Sequence, residues 1–165
     1  MVDTNVASRV HDSLFFRQIP EQYLAGVEEI CREVEFPAHT TIFKEYERSK
    51  DVYVILSGKV SLLYCEPKYS SHQIAIVGEG DLVGWSPLVG RPRLSDTAVT
   101  LTPVKAIVFD GNELLDMIRA NPAFGVEVMR LVASALATRL GGTRLQLHQV
   151  RGNRFPSFDL QPETD

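Results

Sequence analysis

Cysteine is scarce: Cys31 and Cys65 are the only two in 165 residues, and they lie far apart, without Cys-x-x-Cys spacing. Neither a disulfide framework nor a thiolate metal site is suggested, and the expectation is two buried free thiols. A basic excess is lacking as well. Seventeen Lys and Arg against twenty-one Asp and Glu give a net charge of -4, so there is no general electrostatic attraction to nucleic acid. No run approaches the roughly 20 apolar residues of a membrane span, and the N-terminus has no basic segment followed by an apolar core. A cytoplasmic protein that avoids membranes is expected. Histidines 11, 39, 72 and 148 are scattered, with no His-Glu-x-x-His, no Gly-x-Ser-x-Gly and no pair on one strand. Catalysis and a bound metal are therefore not expected. Gly78-x-Gly80-x-x-x-Gly84 misses the dinucleotide fingerprint by one residue and is not followed by an amphipathic helix.

What is present is a single domain's worth of chain, 44% hydrophobic and 23% charged, enough to close a core. Residues 1–11 read as a flexible lead, 12–151 as the domain and 152–165 as a flexible tail with two prolines. A short apolar turn at Leu14, Phe15 and Ile19 precedes a helix starting at Pro20, where Tyr23, Leu24, Val27 and Ile30 recur at helical spacing. The texture then turns to β. Thr40–Phe43, Val52–Leu56, Val60–Tyr64, Gln73–Val77, Ala98–Leu101 and Val104–Phe109 are rich in β-branched and aromatic residues and divided by turn-formers. Seven or eight short strands at regular intervals favour a sandwich or jelly-roll barrel.

From Asp110 the pattern is helical. Asp110 is placed to cap a helix carrying Leu114, Leu115 and Ile118, and Asn121-Pro122 starts another. In that last helix Val128, Leu131, Val132, Ala135, Leu136 and Leu140 form one stripe, continued by Leu145, Leu147 and Val150. Gly141-Gly142 interrupts it at about 1 kcal/mol per glycine, so a bend is expected there. Arg130, Arg139, Arg144, Arg151 and Arg154 read as a solvated basic face.

Between the strands lies Gly78–Thr100, which gathers four glycines, two prolines, two arginines and the sole tryptophan. Such a loop can turn its own N–H groups toward a ligand.

Three stretches together resemble the cyclic-nucleotide-binding domain of catabolite-activator-type regulators, kinase regulatory subunits and gated channels. They are Phe36-Pro37-Ala38 with Ile42–Glu45, the hairpin Val52–Val60, and Gly80-Asp81-Leu82-Val83-Gly84. The resemblance covers about residues 12–150. It implies a mainly β fold, an eight-strand jelly roll with short N-terminal helices and a long C-terminal helix. It also implies a phosphate-binding cassette at Gly84, Trp85, Ser86, Leu88, Arg91, Arg93, Ser95 and Asp96.

In ligand-binding members the glycine of the cassette is followed by a glutamate for the ribose 2′-hydroxyl, and later by Arg-Ser/Thr-Ala for the cyclic phosphate. Here the pairs read Gly84-Trp85 and Leu94-Ser95-Asp96, so both polar anchors are absent. Losing a charge-assisted bond and adding repulsion costs about 1.5–3 kcal/mol each. Trp85 either stacks on a planar ligand or plugs the pocket, the plug being favoured; Arg93 either shifts inward to replace the missing arginine or is solvated. Gly-Trp-Ser-x-Leu-Val and Thr143–Leu147 are similar to a subgroup of stand-alone bacterial proteins of this fold.

The resemblance thus implies a stand-alone, non-catalytic sensory or regulatory module. Its altered cassette binds cyclic nucleotide weakly, not at all, or holds another small anion. A homodimer through Val128, Leu131, Ala135 and Leu136 is expected, the stripe packed on its own barrel being the other reading. The protein partner is unknown. About 15 residues follow Val150, too few for a helix-turn-helix, so direct sequence-specific DNA reading is not expected. A transcription regulator working through protein partners, or a cyclic AMP/GMP sensor using Arg93, are the alternatives.

Overall fold

The computed structural model describes residues 4–66 and 70–151. Eight antiparallel strands form two four-stranded sheets. They are β1 (Cys31–Phe36), β2 (Thr41–Phe43), β3 (Asp51–Ser57), β4 (Val60–Glu66), β5 (Ser70–Val77), β6 (Leu82–Val83), β7 (Thr97–Thr100) and β8 (Val104–Asp110). One sheet runs β1-β8-β3-β6 and the other β2-β7-β4-β5. Four helices flank them: α1 (Thr4–Asp12), α2 (Leu24–Ile30), α3 (Gly111–Ala120) and α4 (Pro122–Arg151).

The central strands of the first sheet, β3 and β8, are buried on both faces, which explains why they read as unbroken apolar runs. Side chains alternate along a strand, and Val52, Val54, Ile107 and Phe109 join the helix-side cluster. Tyr53, Ile55, Ala106 and Val108 point the other way, into the barrel. On the helix side the Phe16 ring meets Phe109 edge-on at 5.8 Å, and Tyr23 meets Phe124 at 5.4 Å. As expected, Asp110 caps α3, accepting the Asn112 N–H at 2.8 Å. Asn121 likewise accepts the Phe124 N–H at the start of α4.

Several expectations are corrected. The segment read as a flexible lead at residues 1–11 is helical from Thr4, and Val6 and Val10, one helical turn apart, are buried in the helix-side cluster. Cys31–Phe36, which is not among the strands expected from the sequence pattern, is β1, paired with β8 from Cys31↔Phe109 to Phe36↔Val104. Helix α4 runs unbroken through Gly141-Gly142, because glycine weakens a helix without forbidding its geometry. The tail at 152–165 lies outside the described residues.

The dimer stripe is also corrected in part. Val128 and Leu131 are buried in the chain's own core, and Ala135 and Leu136 pack against it. They are the inner face of α4, docked on β3, β8 and α3's cluster. Its outer face exposes Val126, Ala133, Leu140 and Leu147, each seven residues from the next.

Among the described residues, no helix is long and apolar enough to cross a membrane, and no group of three or more His, Cys, Asp or Glu is placed to hold a metal ion. Both cysteines are free and half-buried. Burial, with the nearby Glu28 charge, pushes the Cys31 thiol up to about 12, so that sulfur is unreactive at neutral pH.

Candidate functional site

The glycine-rich stretch folds as a pinned loop between β5 and β7. Gly80 N–H donates to the Ile55 carbonyl at 2.8 Å, Ile55 N–H to the Asp81 carbonyl at 3.0 Å, and Gly78 N–H to Asp81 Oδ2 at 2.8 Å. The first two bonds fasten the loop to β3, and the third closes its turn on itself. Gly84 follows with φ of 72°. A Cβ there would lie 3.1 Å from the Asp51 carbonyl oxygen and 3.3 Å from Phe43 Cε1. Only glycine satisfies both the left-handed backbone and the close approach.

Next comes one 3-10 turn, Ser86–Val89, closed by Gly90. Ser86 and Leu88 are buried. Ser86 Oγ is a buried side-chain atom without a hydrogen-bond partner among the described residues. The chain then returns through Arg91–Asp96 to β7, and Leu94 N–H donates to the Glu47 carbonyl at 3.0 Å.

The anchor positions differ from the sequence reading in instructive ways. Trp85 is half-buried against the helix-side cluster, alongside Leu88. The residue that fills the barrel is Leu94, 2% exposed and packed with the cluster of Phe43, Tyr53, Val83 and Ala98. Arg93 is exposed and turned outward, donating to the Tyr46 carbonyl at 2.7 Å. Arg91 is exposed on the outer side of the 3-10 turn. Neither arginine enters the barrel.

A cation does reach the loop, from a residue that the sequence assigns to a solvated face. Arg139 of α4 is half-buried and donates to the Leu82 carbonyl at 2.7 Å. Burial lowers its pKa, opposed by the charges of Asp96 and Asp81. Asp96 in turn is raised above the ordinary aspartate range, chiefly by burial and also by Glu45. The Ser95 hydroxyl, which donates to it at 3.1 Å, and the Arg139 charge work the other way. Nothing in a lone arginine on a helix signals this. A cavity of about 210 Å³ lies beside it, between β5 and α4, lined by Ile74, Ile76, Asp81, Thr138, Arg139 and Gln146.

The sign of the pH effect follows. An aspartate whose folded pKa is raised binds its proton more tightly when folded, so its ionised form opposes folding above that pKa. Arg139→Gln removes the charge that offsets this. At pH 7 the variant is expected to unfold about 1.5 kcal/mol more easily, the low end for a charged hydrogen bond because the group is half-exposed. Part of that loss should vanish as pH falls through the Asp96 range toward 4. Urea unfolding at pH 7, 5.5 and 4 checks it; a loss that stays constant with pH sinks the coupling.

With the loop, the barrel and α4 described, comparison with known proteins is direct. The profile of the cyclic nucleotide-binding domain matches residues 33–121, more than half of the chain. The chain belongs to the cyclic nucleotide-binding domain family. A CRP-like cAMP-activated global transcriptional regulator of Mycobacterium tuberculosis is 26% identical over 121 residues, 73% of this chain and 54% of that protein. The chain thus spans about half the length of the curated relative it matches. The crystal structure of a protein from Geobacter metallireducens GS-15, assigned as cyclic nucleotide-binding, is 28% identical with a TM-score of 0.70, over 81% of this chain and 97% of that one. A cyclic nucleotide-binding domain from Methylobacillus flagellatus KT has a TM-score of 0.73 at 16% identity, covering 94% and 85% of the two chains; at that identity the likeness is one of fold.

Proposed function

We propose that this cyclic nucleotide-binding domain is a non-catalytic regulatory module of the cytoplasm in which the cassette has lost its grip on cyclic nucleotides. One observation carries the reading: the place where the family's arginine would meet a cyclic phosphate is filled by buried Leu94, with half-buried Asp96 two residues on. An anion entering the barrel meets hydrocarbon and a carboxylate. Arg93, the alternative cation, is engaged outside with Tyr46. The M. tuberculosis relative is named as cAMP-activated, so the family's chemistry sets the comparison and the departures set the expectation.

The output in this reading is a dimer of α4 helices. Val126, Ala133, Leu140 and Leu147 are exposed at the seven-residue spacing of a two-helix seam, with the inner face already used by the core.

Titration with cyclic AMP and cyclic GMP, followed by Trp85 fluorescence and melting temperature, tests the cassette. No saturable change is expected below millimolar nucleotide. Saturation at micromolar nucleotide defeats the reading, and its loss in Arg93→Ala would install the shifted arginine instead.

A further inference from the structure

A second site lies on the outer side of the cassette. The 3-10 turn Ser86–Val89 buries Ser86 and Leu88 inward, while Pro87 and Gly90 help form the floor of an open groove of about 560 Å³. That volume is in the range of small-molecule sites. Four cations line it, from three separate segments: Arg48 and Lys50 ahead of β3, Arg91 after the turn, and Arg119 at the end of α3. No carboxylate is among the lining residues. In a chain of net charge -4, a chance patch of this composition is unexpected.

The charges are not all spent. Lys50 meets Asp110 at 2.7 Å and Arg119 meets Asp116 at 2.6 Å. Arg48 and Arg91 are exposed, and among the described residues neither side chain has a hydrogen-bond or ion-pair partner. Two guanidinium forks are therefore free, and a guanidinium suits bidentate contact with phosphoryl oxygens. The floor is firm. Gly111 N–H donates to the Lys50 carbonyl at 2.7 Å, and a Cβ on Gly111 would sit 3.0 Å from Pro87 Cβ, so the turn, α3 and the segment before β3 are packed without slack. Leu115 of α3 adds an apolar wall, and the Asn112 amide a neutral polar group.

We propose that this groove binds a small molecule bearing two or more phosphoryl groups, its phosphates held by Arg48 and Arg91, while Lys50 and Arg119, each paired with a carboxylate, line the rest of the groove. The site is separate from the barrel and does not depend on how the cassette treats cyclic nucleotides. Its occupant touches the same 3-10 turn from outside, and α3 as well.

The test is calorimetric titration of the full chain with inorganic pyrophosphate and tripolyphosphate at 50 mM and 300 mM salt. One-to-one binding is expected, tighter for tripolyphosphate and weakened by salt. Arg48→Glu and Arg91→Glu should each weaken it at least tenfold with the melting temperature kept, since both side chains are exposed. Lys59→Glu, exposed and distant in the fold, makes the same change in net charge and should leave binding within twofold. Three results overturn the proposal: no saturable heat to millimolar tripolyphosphate, an equal loss in Lys59→Glu, or displacement by a poly-glutamate peptide binding more tightly than tripolyphosphate, which would assign the groove to an acidic protein segment.

Discussion

A chain carrying Trp85→Glu, Leu94→Arg and Asp96→Ala is expected to bind cyclic AMP at least a hundredfold more tightly than the parent. The substitutions restore, at the matching positions, the side chains by which ligand-binding members are understood to hold the ribose and the cyclic phosphate. Leu94→Arg supplies a guanidinium inside the barrel, and Asp96→Ala removes a negative charge beside the phosphate. Each is worth about 1.5–3 kcal/mol to an anionic ligand, and 1.4 kcal/mol is a factor of ten. The two together predict about two to four orders of magnitude.

The same change should weaken the free protein. Leu94 belongs to the barrel cluster, and exchanging it for a charge forfeits about 2–4 kcal/mol of packing and desolvation. The variant is expected to melt lower when free and to recover part of that loss with nucleotide, as linkage requires. Calorimetry reads the affinity, since the fluorophore at position 85 is gone. A variant that folds yet binds no better than the parent would show that the cassette's backbone, not its side chains, refuses the ligand.

The second large effect concerns assembly. Leu140→Asp is expected to turn a dimer into a monomer, while leaving the melting temperature of the domain close to the parent's. Leu140 is 61% exposed, so the fold has little to lose from the change. In a symmetric seam each substitution acts twice. Removing two buried leucines forfeits about 3–6 kcal/mol, before the repulsion of two facing carboxylates. Light scattering or sedimentation at micromolar concentration reads the outcome. Leu131→Asp separates the two faces of α4: Leu131 is 3% exposed in the chain's own core, so that variant should fail to fold instead of dissociating. A monomeric parent, or a Leu140→Asp variant that stays dimeric, removes the seam.

Much of the fold was legible because its central strands are buried on both faces. Val52–Leu56 and Val104–Phe109 carry the apolar, β-branched runs that such strands require. The helix cap at Asp110 was legible for a similarly local reason. Strand β1 was hidden because three of its six residues, Arg32, Glu33 and Glu35, are charged, and its position beside β8 is a long-range fact. Helix α1 was hidden by thinness: two valines at helical spacing are a weak stripe until a sheet supplies the other side.

The candidate loop was legible as a loop, and the orientation of its side chains was not. The resemblance assigns Trp85, Arg93 and Leu94 to one loop, but which of them enters the barrel depends on how the chain between Gly90 and Thr97 turns. Leu94 goes in and Arg93 goes out, and no periodicity encodes that. Arg139 lies 43 residues beyond Asp96 in sequence, and its side chain meets the loop only because α4 crosses near β5 and β6. The stripe of Val128, Leu131, Ala135 and Leu136 lies in or against the chain's own core: α4 has two apolar faces, and the sequence alone does not say which one the core takes first.

Arg139 has a further consequence for the end of α4. Beyond Ala135 the helix faces β5 across a cavity instead of packing closely on it, and the bond from Arg139 to the Leu82 carbonyl spans the gap. If that last stretch also adopts an undocked arrangement, a ligand would shift the ratio of the two only through its unequal affinity for them. An anion drawing Arg139 away from Leu82 would remove about 1.5 kcal/mol from the docked form, changing the ratio about tenfold. In the proposed dimer Leu140 and Leu147 lie beside and beyond Arg139, so the same shift would be felt at their seam.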